Sequence, residues 1–224
     1  MNKKKNKLDF LDKEINSKTQ EGIANRIAKI ITLLTISPFQ IVAYLVLGGI
    51  AAPIWLFPVE NIIINIISGI FFLLIPSIPL VVLNKRKRLE GGQLSREDRY
   101  LLFITIIPGY LSLIFIQNAI GLYFGIYIQP LIHFIISYIF VLIIEFIITC
   151  GIRFKTSMHI SGAVCSITAM SFSIGYGALL LFLFVIGIAW ARWQVKGHTI
   201  AQLISGWTIG IFTTLIIQVI LLMI

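Results

Sequence analysis

Three polar stretches of the chain carry side chains suited to binding and transforming an oxyanion. Arg96 and Arg99 lie in the first, Arg153, Lys155, Ser157 and His159 in the second, and Arg192, Lys196 and His198 in the third. Guanidinium, ammonium and hydroxyl donors suit a tetrahedral phosphate, because the planar fork of arginine donates two hydrogen bonds at once. The two histidines His159 and His198 add candidates for a nucleophile and an acid. Gln202 follows His198 by four residues on one helix face, where its amide oxygen can accept an imidazole N–H. No His, Cys or carboxylate group shows metal-ligand spacing, so neither a metal nor a cofactor is expected.

Such residues need apolar elements to hold them. The 224 residues are 58% hydrophobic and 12% charged, and the mean hydropathy is +0.98. That composition demands burial in lipid. The fold class expected is all-α, a polytopic integral membrane helical bundle of six to seven helices. Residues 1–29 read as a basic, amphipathic cytoplasmic leader, and residues 30–224 as a single membrane domain. Crossings are expected at about Ile30 to Ile50, Asn61 to Leu83, Tyr100 to Ile116, Tyr127 to Thr149, Ile160 to Ile174, Ala178 to Trp190 and Thr199 to Ile224. Residues Gln117 to Ile126 are expected to join the third and fourth. A cleavable secretory leader is not expected, because the first long apolar run starts only near Ile30. Cys150 and Cys165 read as small buried side chains. Glu145, near the end of the fourth crossing, reads as a structural ion pair or a protonated acid, and His133 as a packed histidine.

If each of the seven segments crosses, all 18 lysines and arginines fall on one side. By the positive-inside rule that side is cytoplasmic. The net charge of +9 therefore reads as orientation and attraction to lipid phosphate, with no nucleic acid partner.

The residues also resemble a known family. Lys155-Thr156-Ser157-Met158-His159 is similar to the second motif of the type 2 phosphatidic acid phosphatase superfamily, usually Pro-Ser-Gly-His. Arg192, five residues, His198, three residues and Gln202 resemble its third motif, usually Ser-Arg-x5-His-x3-Asp. Ser95-Arg96-Glu97-Asp98-Arg99 stands where the first motif, usually Lys-x6-Arg-Pro, would fall, with altered spacing and no proline. The resemblance covers roughly residues 84 to 215. Thr156 and Met158 replace the proline and glycine of the second motif, and Ala191 and Gln202 replace the serine and aspartate of the third. The resemblance implies a membrane phosphatase that hydrolyses a lipid phosphate or isoprenoid diphosphate through a phosphohistidine. His198 would attack phosphorus, His159 would protonate the leaving oxygen, and Gln202 would orient His198. Arg96, Arg99, Lys155, Ser157 and Arg192 would bind the phosphate oxygens. Two alternatives stand beside this reading, the first kept open by Gln202, which cannot supply the charge of an aspartate. One is a non-catalytic lipid-phosphate-binding protein of the same fold, and the other a lipid phosphotransferase.

Overall fold

The computed structural model describes residues 22–34, 58–85, 98–125 and 129–224. Within them the chain forms seven α-helices: α1 (Ile23–Leu34), α2 (Pro58–Lys85), α3 (Arg99–Phe124), α4 (Gln129–Phe146), α5 (Met158–Ile174), α6 (Phe182–Gln194) and α7 (Ile200–Met223). A π-helical turn, Ile147–Gly151, extends α4, and a 3-10 turn, Tyr176–Leu181, leads into α6. Five segments are long and apolar enough to cross a membrane: Ile66–Leu83, Arg99–Phe124, Gln129–Gly151, Tyr176–Gln194 and Ile200–Met223. The all-α membrane bundle expected from composition is the architecture observed.

Several boundaries move. The helix α3 runs eight residues past Ile116, through most of the expected connection. Gln117 can sit inside it because its side-chain amide donates to Ser68 Oγ at 2.6 Å across the α2–α3 interface, and Gln117 is fully buried. An amide with a partner costs the membrane interior little, so the polar residue does not end the helix. Gly125 ends it, with φ 65° and its N–H donated to the Gly121 carbonyl. The helix α1 straddles the expected boundary between leader and first crossing at Ile30. The rest of the leader, the remainder of that first crossing, and the loop holding Lys87, Arg88 and Arg96 lie outside the described residues.

The expected fifth crossing is the centre of the bundle. All residues from Ile160 to Met170 are buried, although at 17 residues α5 is among the shorter helices. Its small side chains, Ser161, Gly162, Ala163, Cys165, Ser166 and Ala169, explain how neighbours surround it. The helix α7 approaches most closely. A Cβ at Gly206 would stand 2.6 Å from the Ser157 carbonyl oxygen, and one at Gly210 would stand 2.8 Å from that of Ser161. Glycines four residues apart thus clear a groove along α7 for the start of α5, as small residues do between membrane helices. Elsewhere aromatic edges fill the interior; Phe72 meets Tyr110 with ring centroids 4.8 Å apart. Outward faces carry exposed Phe184, Ile186, Ile204, Phe212 and Ile216, the surface a bilayer solvates.

Adjacent spans alternate in direction. Gln117 of α3 reaches the Ile64 carbonyl of α2, and Gln218 of α7 donates to Ser137 of α4 at 3.2 Å. The start of α3, the link from α4 to α5, the end of α6 and the start of α7 therefore gather at one end of the bundle.

Replacing Gly206 by Ala should lower stability by about 1–3 kcal/mol through overpacking against the Ser157 backbone. Gly69→Ala, where a Cβ meets nothing within 4 Å, should change it little. Thermal unfolding of the two variants in one detergent makes the comparison.

Candidate functional site

The gathered helix ends bring together most of the residues singled out by type and spacing. Arg192 sits on the last turn of α6. Beyond it the chain reverses: the Arg192 carbonyl accepts the N–H of Gly197 at 2.9 Å and that of His198 at 3.3 Å. Lys196 takes a left-handed conformation, φ 53°, to close this turn. Gly197 packs closely against the arginine, since a Cβ there would lie 3.0 Å from Arg192 Nη2 and 3.3 Å from the Arg192 carbonyl oxygen. The five-residue interval between Arg192 and His198 is thus one closed turn, with the guanidinium folded over it.

The helix α7 then begins with a capping box. Thr199 Oγ1 accepts the Gln202 backbone N–H at 3.4 Å, and Gln202 Oε1 accepts the Thr199 N–H at 3.2 Å. The same Oε1 lies 3.1 Å from His198 Nδ1. The Thr199 N–H can only donate, so the amide oxygen must face it, and His198 Nδ1 must then carry the proton. His198 Nε2 is left as a bare lone pair, buried and without a hydrogen-bond partner in the protein. Gln202 therefore fixes the tautomer a nucleophilic imidazole needs, through a neutral acceptor.

Opposite stands the start of α5. Ser157 caps it in extended conformation, φ −99° and ψ 92°, and its carbonyl accepts the N–H groups of Ile160 and Ser161 at 3.0 Å each. Its hydroxyl makes no capping bond and has no partner within the protein, although Ser157 is fully buried. His159 lies in the first turn, half-buried, where burial and the charges of Arg192 and Arg99 disfavour its protonated form. Lys155, in the link before α5, feels Arg99 and Arg192. Arg99, at the start of α3, donates from Nη1 to the Thr156 carbonyl at 2.8 Å. Arg99 Nε and Arg192 Nε are also buried without partners in the protein.

Among the described residues, Arg99, Lys155, Ser157, His159, Arg192, His198 and Gln202 therefore form one site. Arg96 lies outside the described residues. Arg153 is exposed with φ 64°. Lys196 is exposed on the wall of an open pocket of about 700 Å³, which Lys155, Trp193, His198, Ile200 and Gln202 also line. Trp193 and Ile200 are exposed there, so lysine ammonium groups and apolar side chains share the pocket's lining. Among the described residues no group of three His, Cys, Asp or Glu side chains is placed to hold a metal.

Glu145 and Thr156 belong to the site's support, which residue spacing did not reveal. Glu145 Oε1 accepts from Ser161 Oγ at 2.8 Å and from Thr156 Oγ1 at 3.2 Å. A carboxylate inside an apolar helix was the available signal, since such a group is costly without a partner. Its partners, on another helix and a link, have no spacing signature.

The electrostatics of Lys155 and His198, which lie outside the spans, follow from burial. Burial lowers the Lys155 ammonium pKa, with Arg99 and Arg192 adding to the effect. Burial also pushes His198 down to about 3 from its ordinary 6.5; Arg192 acts in the same direction and the Gln202 bond opposes both. The imidazole is neutral at physiological pH, as a nucleophile must be.

Compared with protein-family models, curated proteins and solved structures, the chain matches nothing.

Between pH 6.5 and about 3 the unfolded chain takes up a proton at His198 that the folded chain refuses. Stability should therefore fall as pH drops through that window, by at most about 1.4 kcal/mol per pH unit. His198→Asn should flatten this part of the acid dependence, read from thermal unfolding in detergent between pH 7 and pH 4.

Proposed function

We propose that the chain is a membrane phosphatase that hydrolyses a lipid phosphate or lipid diphosphate through a phosphohistidine. The observation that carries this reading is the His198 imidazole, with Nδ1–H held by Gln202 and Nε2 unpartnered among Arg99, Lys155 and Arg192. A neutral nitrogen lone pair surrounded by cations suits attack on an anionic phosphorus centre. The cations neutralise charge on the phosphoryl oxygens, and the geometry is set before the substrate arrives.

In the first step Nε2 forms a bond to phosphorus as the bond from phosphorus to the leaving oxygen breaks, and that oxygen takes a proton from His159, whose imidazolium form the negative charge of the bound phosphate must favour against burial and the nearby cations. In the second, His159 takes a proton from water, whose oxygen attacks phosphorus and expels the His198 nitrogen. The products are the dephosphorylated lipid and phosphate. Ser157 Oγ and the guanidinium N–H groups donate to the equatorial oxygens. Gln202 holds the tautomer through both steps, but the imidazolium formed on attack lacks the charge stabilisation a carboxylate gives. Exposed Trp193 and Ile200 beside Lys155 and Lys196 in the pocket lining suit a substrate whose tail remains in the bilayer. The basic end of the bundle faces the cytoplasm under the positive-inside rule.

A second reading, a protein that binds lipid phosphate without turning it over, is favoured by one observation: the acceptor for His198 is a neutral amide. The two readings separate in one assay. On the first, purified protein releases phosphate from a panel of lipid phosphates and isoprenoid diphosphates, and His198→Ala reduces release to background. Arg192→Ala should lower kcat/KM about 10²- to 10³-fold. Turnover undiminished in His198→Ala ends the phosphatase reading. A near-zero wild-type rate that rises strongly in Gln202→Glu points to the binding protein.

A further inference from the structure

Glu145 is fully buried, and its surroundings are specific. Oε1 accepts two hydroxyl hydrogen bonds, from Ser161 on the first turn of α5 and from Thr156 in the link before it. Thr149, from the π-helical turn after α4, places its own hydroxyl 3.5 Å from that of Thr156. Thr156 is then used a second time, since its carbonyl accepts Arg99 Nη1. Thr156 stands between Glu145 and Arg99 and is bonded to both. The carboxylate thus reaches the phosphate site by three routes: through Ser161 to the helix turn bearing His159, through Thr156 to the neighbouring Ser157, and through the Thr156 carbonyl to Arg99.

The fold alone does not call for an acid here. A serine hydroxyl inside a helix can be satisfied by its own backbone, and Ser161 Oγ already lies 3.3 Å from the Met158 carbonyl. Burying a carboxylate costs several kcal/mol before its attractions are counted. An apolar side chain would pack against α5 without that cost. What an apolar side chain cannot do is fix a buried guanidinium and a two-residue link at once.

We propose that Glu145 is the positioning carboxylate of the phosphate site: it holds Arg99 and the Thr156-Ser157 link in the arrangement that receives the phosphoryl oxygens. This rests on reading the cluster as a phosphate site, but not on turnover. Glu145 itself touches no reacting atom. Beside this network the Ser157 hydroxyl and Arg99 Nε, like Glu145 Oε2, are buried without partners in the protein.

The test uses full-length protein in detergent, with inorganic phosphate as the probe and thermal unfolding as the readout. Wild type should be stabilised by millimolar phosphate. Glu145→Gln keeps an acceptor and removes the charge, and should weaken the apparent phosphate affinity about ten- to hundredfold. Glu145→Asp should recover part of that loss. Thr156→Val removes one hydroxyl donor while keeping the carbonyl that receives Arg99, and should cost about three- to tenfold. A merely structural carboxylate would lower the unfolding temperature without changing the response to phosphate. Wild-type phosphate affinity in Glu145→Gln, or in Thr156→Val should the first variant fail to fold, overturns the proposal; so does a wild type that does not respond to phosphate. Lipid phosphate turnover is followed in parallel. A wild type that binds phosphate through Glu145 yet releases none from lipids overturns the enzymatic reading and leaves the role of Glu145 standing.

Discussion

The contact between α5 and α7 at Gly206 sets the geometry on which the site depends. The start of α5 carries Ser157 and His159, and the start of α7 carries His198 and Gln202. A glycine whose missing side chain would strike the Ser157 carbonyl lets the two helices pack backbone to backbone. Any larger residue would move the hydroxyl and one imidazole away from the other. In lipid, where apolar surface gives no net reason for helices to associate, such close packing is itself a main source of cohesion. Stability and site geometry therefore draw on one contact.

Around that contact polar groups draw their hydrogen bonds from within the protein, because lipid offers none. Gln117 with Ser68 and Gln218 with Ser137 do so far from the site, and they serve as connections between helices. At the basic end the pattern differs. Glu145 engages Ser161 and Thr156, yet Ser157 Oγ, Arg99 Nε, Arg192 Nε and His198 Nε2 are each buried without a partner in the protein. Gln117 Oε1, Thr168 Oγ1 and Thr214 Oγ1 are also buried without a partner, so the candidate site is marked by the clustering of such groups with cations and histidines and not by a missing partner alone.

Composition and hydropathy were enough for the all-α membrane bundle, and charge placed between apolar runs was enough to find Arg192, His198, Lys155 and His159. Both signals are local. The length of α3 was not legible, because Gln117 reads as a polar interruption until Ser68 on another helix is known to receive it. The central position of α5 was hidden for a related reason: a short, serine-rich helix looks like a marginal span when its neighbours are unseen. Gly206 and Gly210 did carry a sequence signal, glycines four residues apart in an apolar run, whereas the Glu145 network joins three separate parts of the chain. The order of the site's residues along the chain says which are near each other only after the helices have been paired.

The turn that joins α6 to α7 has a consequence for how this chain can vary. Because the Arg192 carbonyl receives the N–H groups of both Gly197 and His198, the number of residues between arginine and histidine is a mechanical dimension. Adding or deleting one residue would rotate His198 off its amide acceptor and unclasp the guanidinium together. Side chains around the turn can drift in identity while its length cannot, so the interval works as a gauge against which both helices are cut.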